Sequence, residues 1–175
     1  MSLHIVIDGY NLIRQSPTLS IIEQQSLQDG RDALVERLVS YKKLKHHPIT
    51  VVFDGAEAHN LMEKRNRRKG IDIIFSRAGE LADSVIKRLV IREGERAVVV
   101  TSDKDVADFA AEHGAATIGS IDFESRLEMA TRLDPASADF SEEKQTGWTP
   151  TTRKKGPARR RSKRERKSRA KTRKL

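Results

Sequence analysis

Leu3-His4-Ile5-Val6-Ile7-Asp8-Gly9-Tyr10-Asn11 decides how the rest of the chain is read. A short apolar run ends abruptly on an acid, a glycine and an asparagine. The run Leu3 to Ile7 is too short for an amphipathic helix and has the continuous apolar character of a strand covered on both faces. Four further runs share that character: Ile49 to Phe53, Ile71 to Phe75, Ala97 to Val100 and Ala115 to Ile118. Between them, apolar residues recur at helical spacing: Leu34, Leu38 and Tyr41; Leu81, Val85 and Leu89; Val106, Phe109, Ala110 and His113. A fourth helix is expected from about Asp122 through Phe123, Leu127 and Ala130, with Asp134-Pro135 as its stop signal. Strands alternating with helices predict an α/β fold built on a mostly parallel sheet.

The 175 residues include no cysteine, which excludes a disulfide framework and a cysteine-ligated metal. The apolar run near the start is interrupted at Asp8 and is too short for a signal-peptide core or a membrane span. A soluble cytoplasmic protein with no membrane partner is expected. Charge is divided unevenly: residues 151–175 hold 14 Lys and Arg against one Glu, a net +13, which leaves the first 150 residues at −4 out of a total of +9. Such a tail suits a polyanionic partner, because clustered cations gain affinity by displacing counterions from phosphates. The expected organisation is a folded domain over 1–134, a linker over 135–150 and a basic tail over 151–175. The tail lacks any apolar residue larger than Ala or Pro between Arg153 and Lys174 and is expected to be disordered when free. Phe140 and Trp148 in the linker either dock on the body or do not.

In an open parallel sheet the ligand site lies outside the carboxyl ends of the strands. Here Asp8 follows the first strand, Asp54 ends the second and Asp103 follows the fourth, so all three are expected at one edge. Glu80 and Asp83, three residues apart on a helix expected to begin near Glu80, add acid to the same region, and Asp105 lies further into the next helix. Carboxylates gathered this way repel one another unless a cation sits among them. An oxygen-only donor set favours Mg²⁺ or Mn²⁺ over zinc. Each position also has a plainer reading: Asp103 as the cap of a helix starting near Lys104, Asp54-Gly55 and Asp8-Gly9 as turns, Asn11 as an Asx turn rather than a group orienting a carboxylate, water or substrate.

Lys64, Arg65, Arg67, Arg68 and Lys69 put five cations into six positions after the second strand. They either guide RNA past the acids or form a solvated loop or helix face. Arg159, Arg160, Arg161, Lys163 and Arg164 of the tail suit RNA backbone without sequence preference. The histidines His4, His46, His47, His59 and His113 form no convergent group, and no glycine-rich phosphate loop is present.

These blocks, Val6-Ile7-Asp8-Gly9-Tyr10-Asn11, Val51-Val52-Phe53-Asp54, Phe75-Ser76 with Glu80-Leu81-Ala82-Asp83, and Val100-Thr101-Ser102-Asp103, resemble the YacP-like NYN domain family of the PIN-like ribonucleases. The resemblance runs from Ile5 to about Leu133. It implies a three-layer α/β/α domain acting as a metal-dependent endoribonuclease, with Asp8, Asp83 and Asp103 in the family's acidic positions and Asn11 beside them. Relatives are linked to ribosome-associated mRNA cleavage. Two features depart from the family pattern: Leu81 stands where a Thr is common, and the basic tail is taken as lying outside the shared domain. One or two Mg²⁺ or Mn²⁺ ions at Asp8, Asp83 and Asp103 would activate water for in-line attack on a phosphodiester, leaving 5′-phosphate products. Two rival readings stand beside this one: a non-catalytic RNA- or ribosome-binding protein that keeps the fold, and a phosphatase or DNA nuclease using the same metals.

Overall fold

The apolar runs become strands of a single six-stranded sheet in the computed structural model, which describes residues 2–55, 64–134 and 163–175. In chain order the strands are β1 (His4–Asp8), β2 (Ile49–Phe53), β3 (Lys64–Arg68), β4 (Ile71–Phe75), β5 (Ala97–Val100) and β6 (Ala116–Ile118). The helices are α1 (Gly9–Gln15), α2 (Pro17–Gln25), α3 (Leu27–Lys45), α4 (Ala82–Glu93), α5 (Lys104–Glu112), α6 (Ser120–Leu133) and α7 (Lys163–Thr172). Spatial order across the sheet is β3-β4-β2-β1-β5-β6, and every pairing is parallel except β3 with β4.

Alternate strand residues feed two separate cores, as the period of two requires. Ile5, Ile7, Val51, Phe53, Val98 and Val100 pack with Leu12, Leu34, Leu38, Tyr41, Phe123 and Leu127 from α1, α3 and α6 on one face. Val6, Val52, Ile74 and Val99 pack with Val85, Ile86, Leu89 and Val106 from α4 and α5 on the other. The result is the mostly parallel sheet that the alternation predicted, in the three-layer α/β/α sandwich that the family resemblance implied. The five expected strands form within a residue of their predicted bounds. Leu81 departs from its expected place at the head of an apolar stripe: it caps α4 and is exposed. His113 is likewise exposed, its ring stacked on Phe109 with centroids 4.1 Å apart.

Two further corrections concern the charged segments. Lys64–Arg68 is neither loop nor helix; it is an antiparallel edge strand, joined to β4 through Lys69-Gly70, both at positive φ. A two-residue hairpin turn of that kind accounts for the glycine. An edge strand need not bury side chains, and a row of Lys and Arg on it discourages pairing with other chains, so its sequence carries no apolar signal.

The tail also differs from expectation where it is described. Residues 163–175 form α7 and the turn after it, lying against β6, the opposite edge of the sheet. Lys167 pairs with Glu95 at 3.1 Å, and Lys171 donates to the Gly114 carbonyl at 3.2 Å. Arg126 of α6 donates to the Thr172 carbonyl at 2.5 Å, and the Tyr41 hydroxyl donates to the Leu175 main-chain oxygen at 2.7 Å. Leu175 is only 4 % exposed and joins the core that holds Tyr41 and Phe123. The absence of large apolar residues through Lys174 is thus answered by one at 175. The linker over 135–150, with Phe140 and Trp148, and the tail residues Arg159, Arg160 and Arg161 lie outside the described residues. No helix among the described residues is long and apolar enough to cross a membrane.

Leu175→Ala should lower global stability by about 2–3 kcal/mol and raise amide exchange first in residues 163–175. An unchanged denaturation midpoint would show that α7 is not held by this contact.

Candidate active site

The strand order puts β2, β1 and β5 side by side and parallel, with Asp8 level with Val52 and Ile7 level with Val100. Asp8, Asp54 and Asp103 therefore emerge at one edge, as expected from sequence. Each also accepts a main-chain N–H at the start of a helix. Asp8 Oδ1 accepts the Asn11 N–H at 3.2 Å at the start of α1. Asp103 Oδ1 accepts the Val106 N–H at 3.1 Å at the start of α5, while its own N–H donates to Thr101 Oγ1 at 3.0 Å. Asp54 Oδ1 accepts the Ala82 N–H at 2.6 Å. That bond fixes the first turn of α4 and so places Asp83 one residue on. The capping reading holds for Asp103, and the helices α1, α4 and α5, which follow three separate strands, begin at the same edge.

Electrostatics tie the four aspartates together. Asp8 is only 9 % exposed, and burial pushes its carboxyl up to about 6, reinforced by the charges of Asp83, Asp54 and Asp103 against the Asn11 N–H. Burial also raises Asp83, and Asp103, Asp54 and Asp105 push in the same direction while Lys87 opposes them. Concentrated negative charge with only partial compensation fits a hard divalent cation. Among the described residues, no three His, Cys, Asp or Glu side chains already stand at spacing that would close around one.

Asn11 links three connections. Its Oδ1 accepts the Ser102 N–H at 2.9 Å and the Ser120 hydroxyl at 2.7 Å, and Ser102 Oγ accepts the Ser120 N–H at 3.2 Å. With two donors on its oxygen, Asn11 has its amide N–H pair left to offer. That end can donate to a carboxylate or to a phosphate oxygen.

Other expected residues are placed differently. Glu80 precedes α4 instead of opening it, so it does not share a helix face with Asp83. Its carboxylate is bound to Arg88 and lies 3.7 Å from Arg77, and the Arg88 hydrogen bond holds it below the usual carboxylate range. Asp105 is exposed in the first turn of α5. The cations of the β3 hairpin divide along the strand. Lys64 is level with Phe75, at the carboxyl end of β4 toward the acidic edge, whereas Arg68 is level with Ile71 at the far end. Arg68 pairs with Asp32 and Glu36, Lys69 with Glu36, and Arg67 lies 3.5 Å from Asp72. Two residues were not singled out from sequence. Lys87 lies one helical turn from Asp83, a spacing visible in the chain. Ser120 could not be found that way, because its partner is 109 positions distant.

The family model described as YacP-like NYN domain matches residues 5–173. The chain belongs to the YacP-like NYN domain family. This is a family of PIN-like nucleases. The match runs through the basic tail, which corrects the expectation that the shared region stops near Leu133. The protein named "Uncharacterized protein YacP" from Bacillus subtilis (strain 168) is 31 % identical over 85 residues, 49 % of each chain, so the aligned stretch spans about half the length of that relative. A crystal structure of Rae1 (YacP) from Bacillus subtilis is similar with a TM-score of 0.62 at 27 % identity, over 75 % of this chain and 76 % of that one. A crystal structure of a point mutant of the same Bacillus subtilis protein superposes with a TM-score of 0.62 at 24 % identity, over 75 % of this chain and 78 % of that one.

Asp8 gives this site a pH signature. Its folded pKa of about 6 lies above the ordinary 3.8, so the native state binds the extra proton and stability falls as pH rises from about 4 to 6. Asp8→Asn keeps an acceptor for the Asn11 N–H and removes the charge. In metal-free buffer it should be more stable than wild type by about 2–3 kcal/mol at pH 7, with the gap closing toward pH 4 in denaturation curves.

Proposed function

We propose that this protein is a Mg²⁺- or Mn²⁺-dependent endoribonuclease that acts on RNA, with mRNA in association with the ribosome as its substrate. The observation that carries this reading is the buried Asp8 carboxyl, raised by its own burial and by Asp83 in the first turn of α4 and Asp54 and Asp103 at the strand ends of a nuclease-family fold. Asp8, Asp83 and Asp103 are the residues assigned to hold the metal. When bound, the ion would supply Lewis-acid activation of water and neutralise charge on the phosphodiester.

The remaining residues prepare the edge. Asp54 acts through the Ala82 N–H and is a positioning residue for Asp83. Asn11, oriented by Ser102 and Ser120, presents an amide donor that suits a phosphate oxygen. A non-catalytic RNA- or ribosome-binding protein is the second reading. One observation favours it: among the described residues the acids do not stand at closed ligand spacing.

The deciding experiment is cleavage of mixed single-stranded RNA and of purified ribosome–mRNA complexes by wild type and Asp103→Asn, with Mg²⁺, Mn²⁺ or EDTA. Metal-dependent cuts that fall by about 100-fold or more in the variant are expected. RNA binding by both proteins with no cleavage under any condition would give the second reading the lead. Ser120→Ala should lower kcat about 10-fold with KM little changed if it positions Asn11, and Ser120→Thr should recover part of the loss; equal stability of the variants, from thermal melts, excludes a merely structural effect.

A further inference from the structure

Helix α7 carries its cations on two differently used faces. Lys167 and Lys171, one turn apart, bind the body at Glu95 and at the Gly114 carbonyl. Arg166, Arg169 and Arg173, at spacings of three and four, form another face. They line a cleft of about 980 Å³ between α7 and the start of α6, together with Arg126, Gly119 and Asp122. That volume is at the upper end of the range for ligand pockets, about 300–1,000 Å³. Asp122 is the one acid in the cleft lining against four arginines, and neither Arg166 and Arg169 of α7 nor Arg173 in the turn after it has an acidic ion-pair partner among the described residues.

The cleft has a position as well as a charge. Gly119 in its wall directly precedes Ser120, whose hydroxyl bonds Asn11. The cleft therefore reaches the carboxyl end of β6. Guanidinium groups match phosphate geometry with two parallel donors. No aromatic residue lines the cleft, so it lacks a platform for stacking bases. We propose that the α6–α7 cleft binds the sugar–phosphate backbone of single-stranded RNA and leads the strand to the acidic edge. What happens at that edge rests on the nuclease reading above; binding in the cleft does not. Helix α7 is then a folded wall of the binding site, and its two faces divide docking from recognition.

The test uses the full chain, a fluorescein-labelled single-stranded 12-mer of uridine and fluorescence anisotropy in EDTA at several salt concentrations. Arg166→Gln/Arg169→Gln/Arg173→Gln should raise Kd at least 10-fold and reduce the salt slope by about 2, from about 0.7 per phosphate contact. Lys45→Gln/Arg92→Gln/Arg96→Gln removes the same charge from exposed positions elsewhere and should change Kd less than 3-fold. Wild-type binding by the cleft variant would overturn the proposal, and so would equal losses in both variants, which would make the effect one of net charge. An equal loss of binding to labelled poly-glutamate would also overturn it, since the cleft would then be a general cation surface. If amide exchange shows α7 released in the triple variant, Arg169→Gln alone is used, with a slope change of about 0.7 expected. Cleft-dependent binding without cleavage in Mg²⁺ or Mn²⁺ would sink the nuclease reading only. Cleavage with binding untouched by the cleft variant would sink this one only.

Discussion

Keeping the Asp8 carboxylate at the end of β1 almost out of water, within the field of three other aspartates, is the constraint around which the structure is organised. An isolated buried charge costs several kcal/mol, and the fold supplies only partial relief. Helices α1, α4 and α5 all begin at the acidic edge, with Asp8, Asp54 and Asp103 accepting their first-turn N–H groups. Helix N-termini carry partial positive charge, so their convergence offsets part of the repulsion. The remainder survives in the raised Asp8 and Asp83 carboxyls. A site left with that imbalance is suited to attract a cation.

The close packing beneath the edge enforces this geometry. A Cβ on Gly9 would lie 2.3 Å from the Phe53 ring, and one on Gly55 would lie 1.9 Å from the Ser76 carbonyl oxygen. The glycines beside Asp8 and Asp54 are thus demanded by contact between neighbouring strand ends, and the aspartates are brought together by the same approach. Ser76 reinforces it, with its hydroxyl accepting the Gly55 N–H at 3.0 Å and donating to the Glu80 carbonyl at 2.6 Å.

Much of this was legible in the chain because buried parallel strands write continuous apolar runs, and the residue after each run is placed by topology. Asp8, Asp54 and Asp103 were found that way. Glu80 was misplaced because α4 begins two residues later than its acidic spacing suggested; its true partner Arg88 is eight positions away. Strand β3 was hidden because an edge strand of Lys and Arg has no face to bury. Helix α7 was hidden for a related reason: its attachment depends on ion pairs, main-chain acceptors and the single side chain of Leu175, none of which produces a periodic pattern. The two cationic segments end up unlike each other. Arg67, Arg68 and Lys69 of the β3 hairpin lie beside acids of the body, while α7 keeps one face of arginines toward a cleft.

The Asn11 carboxamide joins the turn after β1 to Ser102 and Ser120, which are 91 and 109 positions later. The consequence is one of timing. Contacts of such sequence separation form only after the intervening chain has paid its loop-closure entropy, so the acidic edge acquires its final shape after β5 and β6 have paired with the first half of the sheet. During synthesis, a chain that has not yet reached residue 120 cannot complete the network. The acidic edge is thereby left unfinished until most of the domain exists.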